Sequence, residues 1–322
     1  MTIVGFHASH EQLPPSRLLR AVKRAEDAGF DAAMCSDHFE PWSVRQGHSG
    51  YAWSWLGAAL EATRFPLGVV TAPGQRYHPA IAAQKLATLA EMYPDRFWAA
   101  LGSGEAINEH VTGDPWPAKD ERDARLAETV DVIRRLLAGS EVTHDGLVHV
   151  DRARIWSLPE IPPPLFAAAV STETAREVAA WADGVITVDQ PLDELSAFMA
   201  AYRQAGGVGP ISVQVHLSWA PTDDEAIAIA HDQWRQSLVP AHLAWELDRP
   251  ADFDALTADA TPEKVAGTLL ASADPGRHLE HLAGIAELGV ERIFLHHVGT
   301  EQDAFIDTFG ERVLPQLKAA AR

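Results

Sequence analysis

The chain has a single cysteine, Cys35, in 322 residues. One thiol excludes an internal disulfide framework and a cysteine-built zinc cluster, and it fits a reducing, cytoplasmic setting. No stretch approaches the roughly 18 uninterrupted apolar residues of a membrane span. Met1–Ser9 has no basic segment followed by a long apolar core, so no secretory leader is expected. Cations are scarce: 26 Lys and Arg against 45 Asp and Glu leave a net charge of −19. Nucleic acid and anionic membrane surfaces need a basic face, so neither is an expected partner. What is present is core-forming material, 47% hydrophobic against 22% charged, which is the balance of an ordinary folded chain.

Short apolar runs alternate with helical periodicity along the chain. Thr2–His7, Asp31–Ser36, Leu67–Thr71, Arg96–Leu101, Pro164–Ala169, Gly184–Val188, Ile211–Leu217 and Arg292–His297 read as eight strands. Between them, Leu18, Leu19, Val22 and Ala25 recur at helical spacing, with Ser16 as a candidate N-cap and Gly29 where a helix would stop. Ala82, Leu86 and Leu89 mark another helix, Leu126, Val130, Ile133 and Leu137 a third, and Ala175–Ala182 a fourth. Asp37–Tyr51 reads as a long loop. Strand–helix alternation implies parallel βαβ units, and eight of them imply a (β/α)8 TIM barrel rather than a doubly wound open sheet. Ser140–Pro163 reads as a hairpin insertion before the fifth strand, and Asp223–Pro275 as a mostly helical one between the seventh and eighth. Neither has linker composition, so residues 1–322 are expected to form one elaborated domain.

In such a barrel the active site lies at the C-terminal strand ends. That rule selects His7, Asp37-His38, Thr71–Gly74, Gly102–Glu105, Val170–Thr172, Asp189, His216 and His296-His297. His38 can exchange a proton near neutral pH, and Phe39, Trp42, Trp53 and Trp55 around it suggest aromatic walls for a planar ligand. Glu105, preceded by two glycines, can serve as an acid at the barrel mouth. Gly102-Ser103-Gly104 is not a dinucleotide fingerprint, since Ile107 holds the place of the third glycine. Ser171 and Thr172 open a helix and can cap it, or can present free N–H groups to a phosphate, an idea that the charge of Glu173 opposes. Histidines at four strand ends also raise a metal-dependent hydrolase, but adjacent His296 and His297 point to opposite faces of a strand, and no metal site is expected.

Ser36–Trp42, the aromatic run Tyr51–Leu56, Arg76–Ala80, Leu101–Glu109, Ala182-Asp183-Gly184 and Ser272–Pro275 occur in the order found in luciferase-like flavin and deazaflavin oxidoreductases. The chain resembles that family along nearly its whole length, and most of all its glucose-6-phosphate dehydrogenases that use the deazaflavin F420. The resemblance implies a homodimeric barrel holding F420 in its mouth. It implies His38 as base for a substrate hydroxyl, Trp42 against the substrate and Glu105 as acid beside the ring. It also places Asp37, Val69, Val70, Ala72, Ser103, Asn108, Val170, Ser171 and Thr172 at the cofactor, with a bulge, often a cis peptide, at Val69-Val70. Where the sugar-phosphate enzymes hold the substrate phosphate with one hydroxyl and three basic residues, this chain has Val188, Pro191, Ala244 and Thr268. A dianion would lose charge-assisted bonds of roughly 1.5–3 kcal/mol each, so a small non-phosphorylated substrate is expected. Ala72 in place of a threonine, and Val170-Ser171 in place of a glycine pair, leave FMN as the alternative cofactor. An FMN-dependent monooxygenase and a flavin-binding protein without turnover are the alternative functions.

Overall fold

The computed structural model describes residues 2–320. Met1, Ala321 and Arg322, which close the expected 1–322 span, lie outside the described residues. Among the described residues eleven strands form, in chain order β1 (Ile3–Ala8), β2 (Ala32–Ser36), β3 (Leu67–Thr71), β4 (Phe97–Leu101), β5 (Val142–Asp145), β6 (His149–Ala153), β7 (Leu165–Ala168), β8 (Val185–Val188), β9 (Ile211–Ser218), β10 (Leu270–Ala271) and β11 (Arg292–His297). Eight of them close a parallel barrel in the order β11-β1-β2-β3-β4-β7-β8-β9, with β9 pairing β11 to shut the ring. The fold is the expected (β/α)8 barrel. Among the described residues no helix is long and apolar enough to cross a membrane.

Differences from the sequence reading are local. The first helix, Pro15–Asp27, starts one residue before Ser16, because Pro15 has its φ preset for the first helical position and no N–H to lose. The fourth helix is Thr172–Val178, shifted toward its cap Ser171, whose hydroxyl accepts the Thr174 N–H. The aromatic run after Tyr51 is part of a helix, Ala52–Ala62, which the sequence reading did not separate from its loop. Both insertions form: β5 and β6 pair as an antiparallel hairpin, and the segment after β9 carries short helices and adds β10 to the edge of β9.

The lower half of the barrel lumen is filled by three aromatics, Trp98, Phe166 and Phe294, each facing a glycine on, or for Gly184 just before, a neighbouring strand. A Cβ at Gly68 would lie 2.0 Å from Trp98, one at Gly5 2.4 Å from Phe294 and one at Gly184 2.8 Å from Phe166. The rings pack on one another, with centroids 5.0 Å apart for Trp98–Phe166 and 5.6 Å for Trp98–Phe294. This plug closes the N-terminal end and leaves the open volume at the C-terminal mouth.

Gly68→Ala is therefore expected to cost about 1–3 kcal/mol by overpacking. Gly57→Ala, whose Cβ would meet nothing nearer than a Leu89 methyl at 4.0 Å, should stabilise the helix it sits in. Thermal melts of the two variants with opposite shifts check the packing; a Gly68→Ala melt equal to wild type contradicts it.

Candidate active site

The mouth holds a cavity of about 790 Å³, within the range of small-molecule sites. Its floor is built from small side chains at successive strand ends: Ser36 on β2, Val70 and Ala72 on and after β3, Gly102 after β4, and Ala168 on β7. Much of the roof comes from the second insertion, through Trp234, Val239, Ala244, Trp245 and Phe253.

His38 is the centre of the polar wall. Its Nδ1 lies 2.5 Å from Glu11 Oε1 and its Nε2 3.7 Å from Glu105 Oε2. Glu11 is fixed from its other side by the Ser9 hydroxyl, which donates to Oε2 at 2.6 Å. The contact with Glu11 makes Nδ1 the protonated nitrogen and leaves Nε2 toward the cavity. Trp42 stands edge-on to His38, centroids 5.3 Å apart, and edge-on to Phe253 behind it at 5.5 Å.

Burial alone would lower the His38 pKa, but the charge of Glu11, its hydrogen bond and the charge of Glu105 outweigh burial and raise it. For Glu11, burial pushes upward, yet the charge and hydrogen bond of His38 and the Ser9 hydroxyl hold the carboxyl down at about 2. Glu105 goes the other way: burial raises its carboxyl more than His38 and Asn108 lower it. Two carboxylates flanking one imidazole thus have opposite proton preferences.

Asn108 ties this wall together. Its Nδ2 donates to Glu105 Oε2 at 2.9 Å, while its Oδ1 accepts the N–H of Phe39 at 2.8 Å and of Glu40 at 3.4 Å. Asp37 is anchored just behind the wall. Its carboxylate accepts from Trp53 Nε1 at 2.7 Å, Thr71 Oγ1 at 2.9 Å and Tyr77 OH at 3.1 Å, and its side chain has no accessible surface. Arg76 donates to the Asp37 carbonyl at 2.6 Å and pairs with buried Glu109 at 3.4 Å. Burial lifts the Glu109 carboxyl to about 7 against the pull of Arg76.

Of the sequence-predicted residues, His38, Trp42, Glu105, Asp37, Val70, Ala72, Ser103, Asn108 and Val170 border the cavity. Val69 does not: it is fully buried on the outer face of β3, in the main hydrophobic core. Ser171 and Thr172 also lie off the wall, and their turn reaches the cavity through Thr174. The Val69–Val70 bond is trans, and β3 runs in continuous register against both neighbours, so the expected bulge is absent. The expected aromatic enclosure reduces to Trp42 among the four rings. Phe39 is exposed, Trp53 is buried as a donor to Asp37, and Trp55 packs edge-on against buried His10. Of the former phosphate positions, Val188 and Ala244 line the cavity and Pro191 and Thr268 do not.

The strand-end histidines divide as strand alternation requires. His7, His216 and His296 face the cavity, whereas His297 stacks on Phe305 in the outer layer. His7 and His296 stack at 4.4 Å, and burial lowers His7 to about 3, His216 to about 4 and His296 well below its ordinary value, so all three are neutral. Among the described residues no group of three His, Cys, Asp or Glu is arranged to hold a metal ion. Asp189 sits off the wall and pairs with His281 at 2.6 Å.

Sequence reasoning did not single out Glu11, Arg76 and Glu109, which also border the cavity. Glu11 lies three residues beyond β1, so a search confined to strand ends stops short of it.

A model of the luciferase-like monooxygenase family matches residues 1–292. The chain belongs to that family. Over 335 aligned residues, this luciferase-like protein is 34% identical to the F420-dependent glucose-6-phosphate dehydrogenase of Beutenbergia cavernae, covering 100% of this chain and 99% of the relative. It is also 34% identical over 325 residues to the F420-dependent hydroxymycolic acid dehydrogenase of Mycobacterium tuberculosis, covering 98% and 88%. Its structure matches an F420-dependent secondary alcohol dehydrogenase in complex with an F420–acetone adduct at a TM-score of 0.90 and 28% identity, over 100% and 99% of the two chains.

The Glu11–His38 pair gives a pH signature. Glu11 is depressed from 4.5 to about 2, so its contribution to stability is present above pH 4.5 and is lost as pH falls toward 2. His38 is raised above 6.5, so its contribution is full below pH 6.5 and is lost as pH rises through the raised value. Glu11→Gln should remove both, destabilise by about 3 kcal/mol, since it breaks a buried pair, and lower the His38 pKa. Imidazole titration followed by NMR checks the last point, and an unchanged His38 midpoint refutes it.

Proposed function

We propose that this protein is an F420-dependent oxidoreductase that transfers hydride between the deazaflavin and a small, uncharged secondary alcohol or its ketone. The observation that carries the reading is His38, held by Glu11 with Nε2 free toward an apolar cavity and with Glu105 alongside. The relatives and the structural neighbour named above, all F420-dependent, support the cofactor assignment.

The residues fit such a group. The floor of Ser36, Val70, Ala72, Gly102 and Ala168 offers a shallow bed of small side chains for a flat ring system. Ser103 and Asn108 stand at its edge with hydrogen-bonding groups. When bound, F420 supplies a two-electron hydride acceptor or donor.

In the oxidative direction, His38 Nε2 takes the hydroxyl proton as the carbinol hydrogen departs as hydride. The Nδ1–H contact to Glu11 stabilises the imidazolium that results, which makes His38 a stronger base than a free imidazole. Burial raises the Glu105 carboxyl, which favours its taking up a proton beside the ring, while Asn108 fixes Oε2. Trp42 and Phe253, with Val239 and Ala244, shield the reacting centre from water and favour an alkyl substrate. Val188 and Ala244 on the wall offer no charge to a phosphate, which argues against glucose 6-phosphate.

Titration of cofactor-free protein with F420 and with FMN, each followed by its own fluorescence, tests the assignment, and F420 is expected to bind in preference. Turnover is then expected with simple secondary alcohols. His38→Ala should lower kcat by about 10²–10⁴-fold, the usual worth of a general base, with little change in F420 affinity. Tight binding of FMN alone, with oxygen consumed by the reduced complex, would replace this reading by a monooxygenase.

A further inference from the structure

The wall opposite the imidazoles carries cations that the proton chemistry does not use. The ends of β4 and β7 lie side by side, Leu101 pairing with Ala167, so Ser103 and Val170 border one stretch of rim. The helix Lys119–Leu137 begins beside that rim and brings Lys119 and Arg122 onto the cavity wall, Lys119 half-exposed and paired with Asp123 at 2.6 Å, a partner that a ligand anion has to displace.

Arg122 is the unusual member. Its side chain is 4% exposed, yet among the described residues its one carboxylate partner is Glu246 at 3.2 Å, itself 52% exposed. Nη1 makes that contact and also donates to the Pro117 carbonyl at 2.8 Å. Nε is buried with no acceptor, and among the described residues Nη2 makes no hydrogen bond. The guanidinium lies 4.4 Å over the Trp116 ring. That ring reaches the β4 end, since a Cβ at Gly104 would sit 3.4 Å from it. A guanidinium so placed, with Nε buried and unmatched and Nη2 free of any protein acceptor among the described residues, presents a fork that matches carboxylate and phosphate oxygens.

The loop after β7 offers little competition for such an anion. The Ser171 hydroxyl is taken up by the Thr174 N–H, and Glu173 adds negative charge to the same turn.

We propose that Arg122, assisted by Lys119, is the anion subsite of this cavity and takes the phosphodiester and carboxylate tail of the deazaflavin. The inference rests on the F420 reading above. It also explains how a chain of charge −19 admits a polyanionic ligand: one low-dielectric contact counts for more than a screened surface field. Glu246 then competes with the ligand for the guanidinium.

The test compares two ligands by fluorescence titration: F420 and its parent 8-hydroxy-5-deazariboflavin, which lacks phosphate and tail. The wild type should prefer F420, and the preference should shrink with added salt. Arg122→Gln should weaken F420 binding at least tenfold and the parent less than twofold, and Lys119→Gln should weaken F420 alone by a smaller factor. Glu246→Gln should tighten F420 binding. A purely structural Arg122–Glu246 latch predicts a lower melting temperature for Glu246→Gln with no gain in affinity, and that result overturns the proposal. So does equal loss of both ligands in Arg122→Gln. If Arg122→Gln fails to fold, the half-exposed sites Lys119 and Glu246 still decide the matter. Wild-type protein that binds both deazaflavins equally sinks this inference alone; wild-type protein that binds neither sinks the cofactor reading with it.

Discussion

The 2.5 Å contact between Glu11 and His38 is the constraint on which the rest of the site depends. Both side chains are taken out of water, Glu11 to 4% and His38 to 16% exposure, and that transfer costs several kcal/mol per charge before any attraction is counted. Such a pair persists only where its geometry is over-determined. Here Ser9 holds one oxygen of Glu11, and the Glu11 carbonyl accepts the His48 N–H at 3.1 Å. The Ser49 hydroxyl in turn donates to the His38 carbonyl at 2.8 Å. The loops after β1 and β2 are thereby stitched to each other as well as to the barrel. The direction of His38 Nε2 follows from that stitching, whereas the raised Glu105 carboxyl follows from its own burial.

A second buried anion does a different job. Asp37 has no accessible side-chain surface, but three uncharged donors from β3, the helix Ala52–Ala62 and the turn after β3 converge on it. Hydrogen bonding of this density makes a carboxylate a rigid hub, and Arg76 extends the hub to Glu109. Lys85, beyond the hub, places its ammonium over the rings of Tyr77 and Trp53, which are themselves donors to Asp37. Burial lowers that ammonium to about 7. The hub fixes the start of the loop that carries His38, so its role is to position the reacting face.

How much of this was legible in the sequence depends on the range of the interaction. The barrel was, because periodicity and the repeated strand–helix alternation are local properties, and the strand bounds agree within a residue or two. The two insertions were legible as departures from that repeat. His38 and Glu105 were legible from strand ends, and Trp42 and Asn108 only through the motifs that resemble the family. Glu11 was not, because what places it in the site is a contact with a residue 27 positions away. Trp53 and Trp55 were read as pocket walls on proximity in sequence, but the helix that carries them turns both inward, one to a hydrogen bond and one to His10. Val69 failed by simple alternation: its neighbour Val70 faces the lumen, so Val69 has to face the helices.

The cavity divides its labour according to where each wall comes from. The floor is made by the barrel strands, whose spacing is set by the sheet, so it is fitted to a ligand of fixed shape. The proton-handling wall comes from the loops after β1, β2 and β4, which the Glu11–His38 and Asn108 contacts hold in one geometry. The roof is built from short helices and turns of the insertion after β9, tied to the rest by isolated contacts such as the Ala106 N–H to the Trp245 carbonyl at 3.1 Å and Ser43 to Asp254 at 2.6 Å. Phe253 of that roof stands edge-on to Trp42, which stands edge-on to His38, so the roof bears on the imidazole through Trp42.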